Sequence, residues 1–197
     1  MKKMRIGILF GGRSGEHEVS IMSARSILEV IDRKKYEVVM IGITKQGRWI
    51  CGDDSMIVLE TDHAAIDSAS AAALLADPAI NSLFKVSGRA GGREFALSRV
   101  VDLDVIFPVL HGTYGEDGAM QGFFELADIA YVGSGVLGSA VAMDKGIFKS
   151  VMRAAGLPVL PAVIFNRSEY QMDPGAVINQ VLQELTFPLF VKPVNLG

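Results

Sequence analysis

Apolar residues along this chain alternate between two spacings, and the alternation predicts its elements. Nearly continuous apolar runs at residues 4–10, 36–44 and 105–110 predict strands, as expected of strands covered on both faces. Between the first two runs, Ile21, Ala24, Ile27, Leu28 and Ile31 recur at helical spacing and predict a helix over residues 19–32. Strand, helix, strand in that order is a βαβ unit, which builds parallel sheets with right-handed crossovers. After the third run, Met120, Phe123, Phe124 and Ala127 share one face of a further helix.

Shorter elements follow from the same reading. Residues 46–51 and 130–132 predict short strands. Residues 139–155 predict a helix with a break near Asp144. Residues 159–165 predict a strand, 174–185 a helix and 189–192 a last strand. Residues 53–92 are an insertion without visible chemistry, in which the alanine-rich stretch 67–75 predicts a helix. Residues 83–87 and 94–98 predict a hairpin across the glycine-rich stretch 88–92. The fold class is α/β, an open and mainly parallel sheet flanked by helices. A first domain is expected over residues 1–141, and the start of a second over 142–197.

Composition narrows the function. Half the residues are apolar and 21% are charged, enough to bury a core. A net charge of −3 and a pI near 5.6 offer no electrostatic footprint for nucleic acid, so no nucleic-acid partner is expected. No stretch approaches the ~18 uninterrupted apolar residues of a membrane span, so no membrane insertion is expected. The apolar core of the start, residues 6–10, is shorter than the ~7–15 residues of a secretion signal. Cys51 is the only cysteine and cannot form an internal disulfide, so the cytoplasm is the expected compartment.

Candidate chemistry sits at glycine-rich exits from strands, where open α/β sheets collect ligands. The first exit is Gly11-Gly12-Arg13-Ser14-Gly15-Glu16. Such a loop often cradles phosphate, but Glu16 and Glu18 would repel one. Glu16 has two readings: it complements the positive end of the next helix, or it holds a cation such as an amino group. For His17 and Glu18 the helix-terminal role is favoured. The second exit carries His111, Glu116 and Asp117 among glycines, and Asp117 reads first as a partner of the following helix.

Residues 133–138 spell G-x-G-x-x-G, the form of a dinucleotide fingerprint. The acidic residue expected about 20 positions on is missing, so a tight turn with close packing is the favoured reading. A nicotinamide-dependent enzyme built on it is the weakest alternative. Lys145 and Lys192 form the last feature. A lysine ending an apolar strand needs an anionic partner, and two of them suit a polyphosphate, whereas snorkelling to solvent is the structural alternative.

Three stretches in order, FGGRSGEHEVSIMSA, VIFPVLHGTYGEDGAMQGFFELADIAYVGSGVLGSAVAMDK and LFVKPVNLG, resemble the D-alanine:D-alanine ligase family of the ATP-grasp superfamily. The resemblance implies a Rossmann-like pre-ATP-grasp domain followed by an incomplete ATP-grasp central domain. It implies that ATP phosphorylates the carboxylate of one D-alanine, whose acyl phosphate is then attacked by the amine of a second, for peptidoglycan synthesis. It assigns Glu16 to the ammonium of the first D-alanine, with Val19 beside it in the substrate site. His111 would lie near the substrate carboxylate, with Glu116 orienting it, and Lys145 and Lys192 would contact ATP phosphates. By the same resemblance, the fingerprint at Gly133 becomes a structural loop and the protein a homodimer through its first domain.

The family pattern continues past Gly197 with a loop over the phosphates, an adenine pocket and the Mg2+ ligands. The 197 residues alone are therefore expected to be a fragment inactive in ligation. Close alternatives join D-alanine to D-lactate or D-serine, and a different class of alternative is a non-catalytic dimerisation module. Unless another chain covers them, Leu157, Val159, Leu189 and Phe190 are expected to be an exposed aggregation hazard.

Overall fold

The computed structural model describes residues 2–52, 54–61, 70–88 and 94–196. The chain divides into two compact units, one up to Ala140 and one over Val141–Leu196.

The first unit is built on a seven-stranded sheet. Its strands are β1 (Met4–Gly11), β2 (Tyr36–Ile43), β3 (Trp49–Cys51), β4 (Ala71–Ala73), β5 (Ser82–Gly88), β6 (Phe95–Asp102) and β7 (Val105–Pro108). They lie in the order β6-β5-β4-β3-β2-β1-β7. β1 pairs in parallel with β2 on one side and β7 on the other, so Ile6 stands opposite both Val38 and Val105. From β2 to β6 every pairing is antiparallel. The open α/β sheet is thus the one expected, mixed and not parallel throughout, with its parallel part confined to the three runs first read as buried strands.

Period-two alternation along β1 explains why that strand is central. Ile6, Ile8 and Phe10 pack on one face with Ile21 and Ala24 of α1 (His17–Val30) and Met56 of α2 (Ser55–Thr61). Leu9 packs on the other face with Ile41, Ile43 and Leu103, and with Phe124 of α3 (Ala119–Leu126). Ile8, Leu9 and Phe10 are wholly buried, each stabilising the fold by about 1.5–3 kcal/mol. The two crossover helices therefore cover opposite faces of the sheet.

The 53–92 region departs from expectation. Residues 67–69 lie outside the described residues, but Ala71–Ala73 is a strand, not part of a helix. It pairs with both β3 and β5, and those ladder bonds override alanine's helix propensity. The hairpin forms as β5 and β6, while its 89–92 tip lies outside the described residues. The expected strand at 130–132 reduces to a single parallel bridge between Ile106 and Tyr131.

The second unit is helical among its described residues. α4 (Val136–Met143), which begins before the division at Ala140, ends and α5 (Lys145–Ala154) begins on either side of Asp144, the expected break. The Asp144 carboxylate accepts hydrogen bonds from the backbone N–H of Gly146 and Ile147, both at 2.9 Å, and caps α5. α6 (Arg167–Met172) follows, and α7 (Pro174–Glu184) starts with proline in the first turn and Asp173 as its cap. The strands expected at 159–165 and 189–192 are absent, because no ladder partner lies beside either run among the described residues. Leu157 and Phe190 are exposed as expected, whereas Val159 and Leu189 are half-buried.

Candidate functional site

The order β2-β1-β7 makes the gap between β1 and β7 a switch point. One crossover leaves β1 toward one face, and the chain leaves β7 toward the other. The loops after both strands then flank one crevice at the carboxyl edge, the place where such sheets bind ligands. Both loops are held tightly. The wholly buried Ser20 hydroxyl donates to the Val109 carbonyl at 2.5 Å and accepts from the Gly11 N–H at 2.8 Å, tying α1, β1 and β7 together. Gly11 has φ +89°, and a Cβ there would lie 2.2 Å from the Ile43 carbonyl, so no other residue fits.

Glu16 opens α1, yet its side chain makes no capping hydrogen bond to that helix. Its carboxylate reaches across the crevice to Gly112. A Cβ on Gly112 would sit 2.9 Å from Glu16 Oε2, and the residue's φ of +73° also favours glycine. The Gly112 N–H donates to Glu116 Oε2 at 2.7 Å. His111 lies half-buried beside them, its Nδ1 3.9 Å from Glu116 Oε1 and its Nε2 3.0 Å from Ser23 Oγ. Two carboxylates and an imidazole thus converge on one glycine, an arrangement suited to a small ligand that carries an ammonium beside an acceptor. Val19, one turn beyond Glu16 on α1, is 46% exposed.

The neighbouring charged groups have structural work. His17 is buried, and its Nδ1 donates to the Gly12 carbonyl at 2.7 Å, closing the first loop. Glu18 pairs with Lys45, whose ammonium holds the carboxyl below the usual carboxylate range. Asp117 accepts from the N–H of Tyr114 at 2.8 Å and from that of Ala119 at 3.0 Å, so it braces the turn into α3. Arg13 lies over the Tyr114 ring, 4.7 Å from its centroid, linking the two loops. Cys51, for which no chemistry was expected, is half-buried, and burial pushes its thiol pKa up. An apolar groove of about 400 Å³, lined in part by Trp49, Leu74, Met120 and Phe123, shares Tyr114 with the site but includes neither Glu16 nor His111.

Ser20, Ser23 and Gln121 escaped the sequence reading. Gln121 is buried and donates through Nε2 to the Gly115 carbonyl at 2.9 Å, holding the second loop from below. A usable signal for the serines was present: Glu16, Ser20 and Ser23 recur at i, i+4 and i+7, a polar stripe beside the apolar face of Ile21 and Ala24. At residues 133–138, Gly133 has φ +133° as a tight turn requires, but nothing lies within 4 Å of where a Cβ on Gly133 would sit. A Cβ on Gly138 would instead lie 3.5 Å from Ser134 Cβ, so the close approach falls at the last glycine and not at the first.

Within the second unit, Lys145 begins α5 and its Nζ donates to the Leu196 carbonyl at 2.5 Å. Its backbone N–H donates to the Val194 carbonyl, which brings the 194–196 segment against the helix start, two residues beyond Lys192. Lys192 is exposed and belongs to no strand, so it has no burial for an anion to relieve. The two ammonium groups suit phosphate oxygens. Among the described residues no group of three or more His, Cys, Asp or Glu is placed to hold a metal ion, so these residues do not fit a magnesium site. No helix among them is long and apolar enough to cross a membrane.

Known proteins resemble this chain in sequence and fold. At 48% identity over 197 residues, a D-alanine–D-alanine ligase from Natranaerobius thermophilus aligns with all of this chain and 52% of its own length. A second, from Chloroherpeton thalassium, is 43% identical over 200 residues, covering all of this chain and 53% of the relative. The solved structure of the D-alanine-D-alanine ligase from Coxiella burnetii matches with a TM-score of 0.78 at 34% identity. That of the VanG D-Ala:D-Ser ligase from Enterococcus faecalis matches with 0.75 at 33%. Each structural match covers all of this chain and 53% of the other. The chain spans about half the length of the curated relatives it matches. Residues 151–197 fit the family model for the D-ala D-ala ligase C-terminus, and residues 5–134, which hold the whole β1–β7 crevice, fit the model for the N-terminus. By that match the chain belongs to the D-alanine–D-alanine ligase family.

Proposed function

We propose that this chain supplies the first D-alanine site of an ATP-dependent D-alanine:D-alanine ligase that serves peptidoglycan synthesis. The observation that carries the reading is the Glu16 carboxylate, which leaves its own helix uncapped and crosses to Gly112 beside His111. Glu16 accepts the substrate ammonium, Val19 packs beside the methyl group, and His111 donates to the carboxylate. Glu116 anchors the loop through the Gly112 N–H and so sets where His111 stands. Holding the carboxylate in one orientation presents an oxygen for phosphorylation and removes the entropy of the search. Lys145 and Lys192 then balance the charge of the ATP phosphates, which is most of what a protein contributes to phosphoryl transfer. ATP supplies the activating phosphoryl group. The acyl phosphate formed on the first D-alanine loses phosphate when the second amine attacks. Magnesium is part of the family reaction, but the described residues hold no ligand set for it and no step is derived through it.

The reading divides the chain into a substrate-binding domain at 1–141 and an ATP-grasp portion at 142–197, acting in the cytoplasm. It also makes the protein a homodimer through the first domain, supported by edge strand β6, which leaves Phe95, Leu97 and Val100 exposed. D-serine as second substrate is the alternative that the VanG likeness favours, and the first-substrate site is common to both. Calorimetric titration with D-alanine tests the site. Saturable binding that Glu16→Gln weakens about tenfold or more supports it, as loss of a charged partner should. D-alanine binding that Glu16→Gln leaves unchanged removes it.

A further inference from the structure

We infer that Arg13 and Tyr114 are positioning residues: their stack is a clasp that fixes the loop carrying Glu16 against the loop carrying His111 and Glu116. That D-alanine binds between those loops rests on the reading above, whereas the clasp itself stands on geometry.

Tyr114 is held in a strained conformation. Its φ of +65° lies in the left-handed region, which a bulky side chain rarely adopts. The Asp117 carboxylate keeps it there by accepting from the Tyr114 N–H at 2.8 Å. Burial does not offset the strain, since Tyr114 is 50% exposed. Strain of this kind collects at sites where a side chain has a task. On the other loop the ring meets the Arg13 guanidinium, 4.7 Å from its centroid. A guanidinium is charged at every working pH and is drawn to the negative face of an aromatic ring.

Arg13 is held from its other side. A Cβ on Gly47 would lie 2.7 Å from Arg13 Cδ and 3.3 Å from its Cγ, so the bare backbone of Gly47 backs the arginine stem. Gly47 sits in the turn between β2 and β3, which its N–H closes onto the Thr44 carbonyl at 2.9 Å, and Thr44 is wholly buried. Among the described residues no carboxylate pairs with Arg13, so the ring competes with no ion pair. Arg13 stands three residues before Glu16, and Tyr114 three after His111.

The two loops lack another tie of this kind. They meet at Gly112, where a Cβ would lie 3.2 Å from Ser14 Cβ and 2.9 Å from Glu16 Oε2. Glycine offers no side chain to hold that approach. Among the described residues no hydrogen bond joins residues 11–16 to residues 111–118. The stack is therefore the directional contact that sets their spacing.

Nuclear magnetic resonance of the labelled chain reads the clasp directly. In the parent protein the Arg13 side-chain protons should be shifted upfield by the Tyr114 ring. Tyr114→Phe should keep that shift, and Tyr114→Leu, which retains bulk but has no ring, should abolish it. Hydrogen exchange at the Glu16 and Gly112 amides should quicken about twofold to fivefold in Tyr114→Leu and in Arg13→Gln, the reach of one exposed cation–ring contact, with the β1 amides unaffected. The double variant should exchange no faster than either single one, because both remove the same contact. In calorimetric titration Tyr114→Leu should raise the D-alanine dissociation constant by a similar factor, and Tyr114→Phe should not. A parent protein without the upfield shift overturns the inference. So do single variants that leave exchange unchanged, a double variant whose effects add, and D-alanine binding that Tyr114→Leu does not weaken. Quickened exchange in a protein whose parent binds no D-alanine supports the clasp and sinks the D-alanine reading instead.

Discussion

The two units contain the same kinds of apolar run and put them to different use. In the first, residues 4–10 become a central strand because β2 and β7 supply ladder partners on both sides and two helix layers supply cover. In the second, residues 159–165 and 189–192 are as apolar, yet they pair with nothing among the described residues and form no strand. The helices of the second unit form all the same. A helix closes its hydrogen bonds within its own segment, and Asp144 and Asp173 supply caps locally. A strand closes none of its own and exists only where a neighbour stands. Val177 is the single buried apolar residue of the second unit among the described residues, whereas Phe187, Phe190 and Val191 are all at least 75% exposed.

A pair of phenylalanines puts this contrast to its hardest test. Phe10→Ala should destabilise the first unit by about 3–5 kcal/mol in urea unfolding, as expected for truncating a wholly buried ring. Phe190→Ala should change stability by no more than about 0.5 kcal/mol. Equal losses would mean that Phe190 is covered in solution and would break the comparison. Next in size is the cap. Asp144→Ala should cost about 1 kcal/mol locally and speed hydrogen exchange at Gly146 and Ile147 roughly fivefold, with the β1 amides unaffected.

The smallest effect sits at the antiparallel edge of the first unit. Hydrogen bonds first from the Arg99 guanidinium and then from the Ser82 hydroxyl hold the Asp102 carboxyl down at about 2, against an ordinary value of about 3.9. A depressed folded pKa gives stability that is present above about pH 4 and lost as pH falls toward about 2. Melting curves of the parent protein and Asp102→Asn should therefore differ at pH 5 and converge by about pH 2. A difference that persists at pH 2 would remove the linkage.

How far the site was legible also divides by locality. Glu16, His111 and Glu116 were readable as candidates because each lies in a polar, glycine-rich break after an apolar run. That Gly112 is the point on which they converge was not, since it depends on β7 lying against β1 across nearly a hundred intervening residues. The polar stripe that holds Ser23 was legible, but its partner 88 residues away was not, for the same reason. Lys192 misled in the opposite way: its apolar neighbours imply burial, and the absence of pairing strands leaves it exposed.

The sequence by itself determined the βαβ beginning, the helices α1, α3, α5 and α7, the break at Asp144 and the loops that carry the chemistry. All of these rest on periodicity, capping and glycine, which act within a few residues. Tertiary structure decided that Ala71–Ala73 would be a strand, that the sheet would be mixed, and that Gly112 would meet Glu16. Those outcomes depend on which distant segments lie side by side, because ladder hydrogen bonds and site contacts are made between segments and not within them.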